Sequence, residues 1–384
     1  MRKNDITYVA IDAHKKMHQV LMQLPGEEPP VSWTVRNTER EILRMVKRIR
    51  KRAPGEVEAC YEAGPCGFAL QRQLESKGIR CQVIAPSLIP KAPGDRIKTD
   101  RRDAAKLLKL QMAGLLTEVC PPTKEEEAVR DLCRCREAAM KDLKRARHRL
   151  LKFVLRHGYA FTEGRNWTQK HLEWLNSLRF DIPHEERVFT ELFSEIARHQ
   201  DRVEALDAEL EKVAEEAPYK EPVGHLRCFR GIDTVTAVTL VAEIFGILRF
   251  DSARELMSYL GLTPSEFSSG ESQRKGKITK AGNSLVRRLL VEACWHYRHR
   301  PVVSKPLKAR RQGQPKWVTE TADKAQARLH QRFRHLTKNG KNPNLAVTAM
   351  ARELAGFIWY VLRKSALEKG ETHRKKHPSE KEAA

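Results

Sequence analysis

Ile6–Asp12 reads ITYVAID, an apolar run rich in β-branched side chains that closes on an acid. Such a run makes a buried strand, and Asp12 stands at its end. His18–Gln23 and Ser32–Val35 continue as strands, joined by the turn Pro25-Gly26. Asn37 is placed to cap a helix running to about Arg52, with Ile42, Leu43, Val46 and Ile49 on one face. Val57–Tyr61 is a second short buried strand, and an acid, Glu62, follows it too. Gly64 and Pro65 lead into a helix over Phe68–Glu75, Gly78 closes it, and Arg80–Ala85 is a further strand.

Three strands, helix, strand, helix, strand is the order of an RNase H-like α/β domain. The next stretch, Lys91–Leu108, reads KAPGDRIKTDRRDAAKLL. Asp100 and Asp103 open an apolar-periodic helix at a spacing that sets both carboxylates on one face of its first turn. Strand ends of an open α/β sheet are where ligands bind. Taken singly, Asp100 could serve as a helix cap and Asp12 as a strand terminator. Together, Asp12, Glu62, Asp100 and Asp103 would repel one another unless divalent cations sat among them. Two Mg²⁺ ions ~3.5–4 Å apart, holding the attacking and leaving oxygens of a phosphodiester, are the usual reason for such a set. Arg96, Lys98, Arg101 and Arg102 flank it with positive charge.

Pro121-Pro122 mark a boundary, after which Thr123 and Glu126 have capping-box spacing ahead of a helix over about Lys124–His157. A second long helix spans about Pro183–Glu215. In it Leu192, His199, Leu206 and Val213 recur every seven residues, interleaved with Ile196, Val203 and Leu210. That is a coiled-coil seam with one polar break, and it predicts an antiparallel arm or a dimer-forming coiled coil. Leu226–Phe250 carries a Gly-Ile-Asp turn between helical pieces, as in a helix-hairpin-helix. Ser265–Asn283 lacks apolar periodicity and is rich in glycine, so it reads as a loop. Arg274, Lys275, Lys277 and Lys280 there are phosphate neutralisers, and a hydroxyl of Ser268 or Ser269 could attack a phosphodiester. The plainer reading of that loop is a basic grip on nucleic acid. Leu285–Tyr297, Asp323–Leu336 and Leu345–Leu362 are further helices, and His373–Ala384 is a polar tail.

The 384 residues carry a formal charge of +23, which points to a polyanionic partner, with nucleic acid the default. No apolar run approaches the ~20 residues of a spanning helix, so no membrane is expected. The eight cysteines form no CxxC pair and the histidines no HExxH, so neither disulfides nor structural zinc is expected, as in a cytoplasmic chain.

The ordered motifs VAIDAHKK (9–16), CYEAGPCG (60–67) and IKTDRRDAAKLL (97–108) resemble the acidic motifs of the DEDD transposases of insertion sequences. GLTPSEFSSG (261–270) and GKITKAGNSLVRRLL (276–290) resemble the C-terminal signature of the same family. The resemblance implies a RuvC-like domain over 1–120 with Asp12, Glu62, Asp100 and Asp103 at a Mg²⁺ site. It implies a coiled-coil dimerisation arm over 121–220 and a C-terminal transposase domain over 221–365, with a disordered tail over 366–384. Ser269 would be the nucleophile, with Ser268 second. Lys98, Arg101, Arg102, Arg274, Lys275, Lys277, Lys280 and Arg287 would bind nucleic acid. It further implies an RNA-guided recombinase, dimeric or tetrameric, joining target and donor DNA through a phosphoserine link at the bacterial nucleoid. The segment Pro306–Leu336 looks longer and more basic than the simplest members carry, as an insert would. Two other readings are a metal-dependent junction resolvase in which the serine loop only binds, and a non-catalytic nucleic-acid-binding protein.

Overall fold

A computed structural model describes residues 6–26, 29–90, 99–269 and 272–370, the side chains of 267–275 excepted. The chain divides into two compact units, Met1–Pro121 and Pro122–Ala384.

The first unit holds β1 (Thr7–Ala13), β2 (Met17–Gln23), β3 (Val31–Arg36), α1 (Glu39–Arg52), β4 (Val57–Glu62), α2 (Ala69–Glu75), β5 (Arg80–Ile84), α3 (Asp100–Met112) and β6 (Glu118–Val119). The sheet order is β3-β2-β1-β4-β5-β6, with β1–β4 and β4–β5 parallel and the other pairs antiparallel. This mixed sheet has the expected RNase H-like order. Strand alternation gives it two apolar faces. Val9, Ile11, Ala59, Tyr61 and Val83 meet Ile42, Met45, Val46 and Ile49 of α1 and Leu70 and Leu74 of α2. Ala10, Leu21, Cys60 and Ile84 face the other way, onto Ala104, Leu107 and Leu108 of α3. α1 is capped by Thr38, whose hydroxyl accepts from Glu41 N, and not by Asn37. Asn37 instead donates to the Lys15 carbonyl.

The second unit is helical apart from one β-hairpin. It contains α4 (Lys124–Arg156), α5 (Gln169–Ser177), α6 (Pro183–Glu215), α7 (Lys220–Leu226), α8 (Thr234–Ile244), α9 (Ala253–Tyr259), β7 (Pro264–Ser269), β8 (Ser272–Ile278), α10 (Ser284–Cys294), α11 (Lys305–Arg310), α12 (Lys316–Lys338) and α13 (Pro343–Glu368). The capping box forms: Thr123 N donates to Glu126 Oε2 at 2.8 Å and Glu126 N to Thr123 Oγ1 at 3.1 Å. α4 and α6 pair within the chain. Arg136–Asp207, Arg202–Asp142 and Arg149–Glu195 run in opposite directions along the two helices, so the pair is antiparallel. Phe189, Ile196, Val203 and Leu210 are the buried seam of α6, while His199 sits half-buried 3.5 Å from Glu195. His171 is fully buried among Phe161, Trp167 and Trp174, and neither ring nitrogen has a hydrogen-bond partner among the described residues.

α13 is long and apolar enough by length and composition to cross a membrane, contrary to the expectation of no such run. Here Val347, Met350, Leu354, Ile358 and Val361 are fully buried in the core of the helical unit. It also runs to Glu368, past the expected domain end at 365. α12 belongs to the same core, since Val318, Ala322, Ala325 and Leu329 are buried against it. The basic segment Pro306–Leu336 is therefore built into the unit rather than appended to it.

Glu243 of α8, almost wholly buried, joins three elements. Arg134 of α4 donates to it twice, at 2.7 and 3.0 Å, and Asn283, the N-cap of α10, donates at 2.6 Å. Glu243→Gln removes the charge and turns one acceptor into a donor facing other donors. We expect it to lower the unfolding free energy by about 1–3 kcal/mol in urea melts; an unchanged midpoint would refute the junction.

Burial lowers the His171 pKa, so folding favours its neutral ring. Its contribution to stability is present above the unfolded pKa of ~6.5 and is lost as pH falls below it. The acid-induced drop in Tm should therefore shrink in His171→Phe, and an equal drop in both proteins would remove His171 as a cause.

Candidate active site

β1 and β4 run parallel with Ile11 beside Tyr61, so the next residues, Asp12 and Glu62, stand side by side where the paired stretch ends. Counting by twos from Ala10 and Cys60 places both acids on the face that α3 covers. α3 runs antiparallel to these strands. Its Gln111 donates to the Glu58 carbonyl at 3.1 Å, while its first turn lies at the opposite end, by Asp12. Asp100, Asp103, Ala104, Leu107 and Leu108 share one helical stripe. Seating the apolar part of that stripe brings its acidic part over the strand ends. Thr99 caps α3, its hydroxyl accepting from Arg102 N at 3.3 Å, so Asp100 is not engaged as the cap.

The tightest group is Asp12, His14 and Asp100, whose ligand atoms lie within 4.8 Å of one another. His14 Nε2 is 3.1 Å from Asp12 Oδ2 and 3.5 Å from Asp100 Oδ1. Burial pushes the Asp12 carboxyl up. His14 pulls it back down, and the Asp100 and Asp103 charges raise it further. Glu62 is exposed and Asp103 half-buried, both outside that closest trio. His14 was not singled out from sequence, although the spacing Asp12-Ala13-His14 puts the imidazole on the carboxylate's side of an extended chain. The donor set suits a divalent cation: oxygen donors from two acids with two more nearby, plus one imidazole.

Ser265–Asn283 is not a loop throughout: β7 and β8 pair as an antiparallel hairpin, with Phe267 opposite Arg274 and Ser269 opposite Ser272. The pairing is between backbones, so it forms without apolar alternation, the signal on which the loop reading rested. Gly270 and Glu271 lie outside the described residues, as do the side chains of Ser268, Ser269, Arg274 and Lys275 and the whole of Lys98 and Arg96. Arg101, Arg102, Lys277 and Lys280 are exposed. Arg287 is held by backbone carbonyls. It donates from Nη1 to the Leu260 and Ala281 carbonyls at 2.7 and 2.9 Å, clamping the hairpin's base.

Two glycines close that base. Gly261 and Gly282 have φ of 64° and 66°, and a Cβ on Gly282 would come within 1.9 Å of the Tyr259 carbonyl oxygen. Lys280 N donates to the Gly261 carbonyl and Thr279 N to that of Thr263.

A family model described as Transposase, of the DEDD type, matches residues 9–158, and one described as Transposase IS116/IS110/IS902 family matches 224–308. The chain is 40% identical to the putative transposase y4qE of Sinorhizobium fredii over 363 residues, 93% of this chain and 89% of the relative. It is 35% identical to the transposase for insertion sequence element IS1533 of Leptospira borgpetersenii over 338 residues, 87% and 97% of the two chains. A more distant similarity, 25% over 236 residues, is to the transposase for IS1111A of Coxiella burnetii, covering 60% of this chain and 64% of that one.

Gly282→Ala should strain the hairpin base by about 1–3 kcal/mol and speed amide exchange over 264–278. Unchanged exchange there would mean the base does not hold the hairpin.

Proposed function

The chain belongs to the IS116/IS110/IS902 family of transposases, DNA strand-transfer enzymes, and from that premise we propose how its residues divide the work. The observation that carries the reading is the Asp12–His14–Asp100 cluster at the end of β1. Asp12 and Asp100, with Asp103 and Glu62 beside them, would hold a divalent cation, Mg²⁺ by preference for hard oxygen donors. Bound there, the cation would polarise the scissile phosphodiester and offset charge on the oxygens that enter and leave. His14, hydrogen-bonded to Asp12 at 3.1 Å and 3.5 Å from Asp100, orients the Asp12 carboxylate beside the cation.

Ser269 is the proposed nucleophile. Its hydroxyl oxygen bonds to phosphorus as the bond to the leaving sugar oxygen breaks, and the serine proton passes to a base while the leaving oxygen takes one up. The phosphoserine link keeps the ester for rejoining, as strand transfer needs. Lys277 and Lys280, exposed along and after β8, neutralise phosphates near it. We read the α4–α6 pair as the arm through which copies assemble into a dimer or tetramer, and a structured guide RNA as the selector of target and donor at the bacterial nucleoid.

The test is covalent capture. The protein, expressed with its native flanking DNA, is incubated with junction DNA and Mg²⁺ and run on a denaturing gel. A DNA-linked band lost in both Ser269→Ala and Asp12→Asn, with DNA binding retained, is the expected result. Cleavage without an adduct, indifferent to Ser269→Ala, would replace strand transfer through serine by hydrolysis at the acids alone.

A further inference from the structure

A pocket of about 420 Å³ opens in the helical unit between the turn entering α8, the turn that follows α10, and the start of α11. Its polar lining is Arg230, His296, Ser304 and Arg310, with Asp233 the one acid. The Asp233 carboxylate is engaged as the N-cap of α8, accepting from Thr236 N at 2.8 Å. Arg230 donates from Nη1 to the Arg300 carbonyl at 2.9 Å and Arg310 from Nη1 to that of Ile232 at 2.6 Å. Each guanidinium is thus fixed by backbone and keeps further N–H donors, and Arg310 Nε is buried without a partner. The adjacent Arg311 differs, being paired with Asp323 at 2.7 Å. Neither Arg230 nor Arg310 forms an ion pair among the described residues.

Two guanidinium groups and an imidazole outnumber the one carboxylate, Asp233, whose charge acts on Arg310, and leave a net positive charge in a partly desolvated hollow. Burial and the surrounding cations, Arg230 first, push the His296 pKa below its usual value. Burial likewise lowers that of Arg310. An anion relieves both. The Ser304 hydroxyl begins α11 without capping it and is a further free donor. Gly231, at φ 82°, seats the turn against α10, where a Cβ would meet the Ala293 oxygen at 2.6 Å and the His296 ring at 2.9 Å. The turn is therefore packed closely on α10 and His296. Val302 and Leu307 give the hollow an apolar side next to its cations. Fixed forks of N–H donors match phosphate oxygens, and an apolar wall matches a sugar.

We propose that this pocket takes one backbone phosphate of a DNA strand, bound between Arg230 and Arg310 with its deoxyribose against Val302 and Leu307. The acidic cluster and the serine take no part. The test is therefore run without divalent metal, on the full chain carrying Ser269→Ala, so that it succeeds or fails apart from the catalytic assignment.

Histidine-labelled protein is titrated with inorganic phosphate and followed by NMR, the His296 signals being assigned with His296→Asn. A saturable shift is expected, weakened about tenfold in Arg230→Gln, as for loss of one charged hydrogen bond. Arg310 also holds the Ile232 carbonyl, so Arg230→Gln is the primary variant and Arg310→Lys, which keeps the charge but loses the fork, the second. Duplex DNA should displace phosphate, and Arg230→Gln should reduce the slope of log affinity against log salt by about 1. No saturable shift, or a DNA affinity and salt slope unchanged in Arg230→Gln, overturns the site. A phosphate response that DNA does not displace overturns its assignment to nucleic acid.

Discussion

The packing of α3 on the sheet is the constraint on which the acidic site depends. Ala104, Leu107 and Leu108 seat on Ala10, Leu21, Cys60 and Ile84, and the same helical stripe carries Asp100 and Asp103 one turn earlier. The seat and the site cannot be separated, because helical periodicity ties them. Magnitudes favour the arrangement. Two carboxylates at this range repel by about 1–4 kcal/mol in a wet, surface-like medium. Burying each leucine returns about 1.5–3 kcal/mol. His14 lowers the electrostatic cost further by standing between Asp12 and Asp100. The fold thus holds negative charge together before a cation arrives, as a site made to receive one requires.

The helical unit solves a different problem, that of holding a short two-stranded hairpin steady. Such a hairpin is marginal alone. Its base is fixed by backbone approaches that only glycine permits, at Gly261 and Gly282, and by Arg287 across two carbonyls. Where β8 leaves for α10, Asn283 caps the helix through its side-chain oxygen while its amide donates to Glu243, which Arg134 holds from α4. One buried carboxylate therefore links the hairpin's exit to the long helix α4. Around them α13, apolar enough to suit a bilayer, serves as the central core helix.

Much of this architecture was legible in the chain. The strand order, both acids at strand ends, the spacing of Asp100 and Asp103, the Thr123 capping box and the seven-residue seam of α6 are local patterns. A period of two or 3.6, or a hydroxyl three residues before a glutamate, expresses constraints acting within a few residues. Other features were misread or missed for a common reason. The cap at Thr38 instead of Asn37 turns on which side chain found another partner. The β7–β8 pairing rests on backbone bonds that leave little trace in side-chain pattern. The Pro306–Leu336 segment looks like a basic insert because its charges outnumber the few small and apolar residues that bury α12.

The sequence by itself determined the strand and helix order of the first unit, the long helices and the family, since periodicity, capping and motif order are written in neighbouring residues. Only the tertiary structure decided that His14 joins Asp12 and Asp100, that Glu243 unites three helices, that Arg287 is a clamp, and that Arg230, His296 and Arg310 share one hollow. Each brings a side chain to groups that the local pattern does not pair with it. Which residue meets which is settled by packing the apolar stripes, and the polar groups go where that packing carries them.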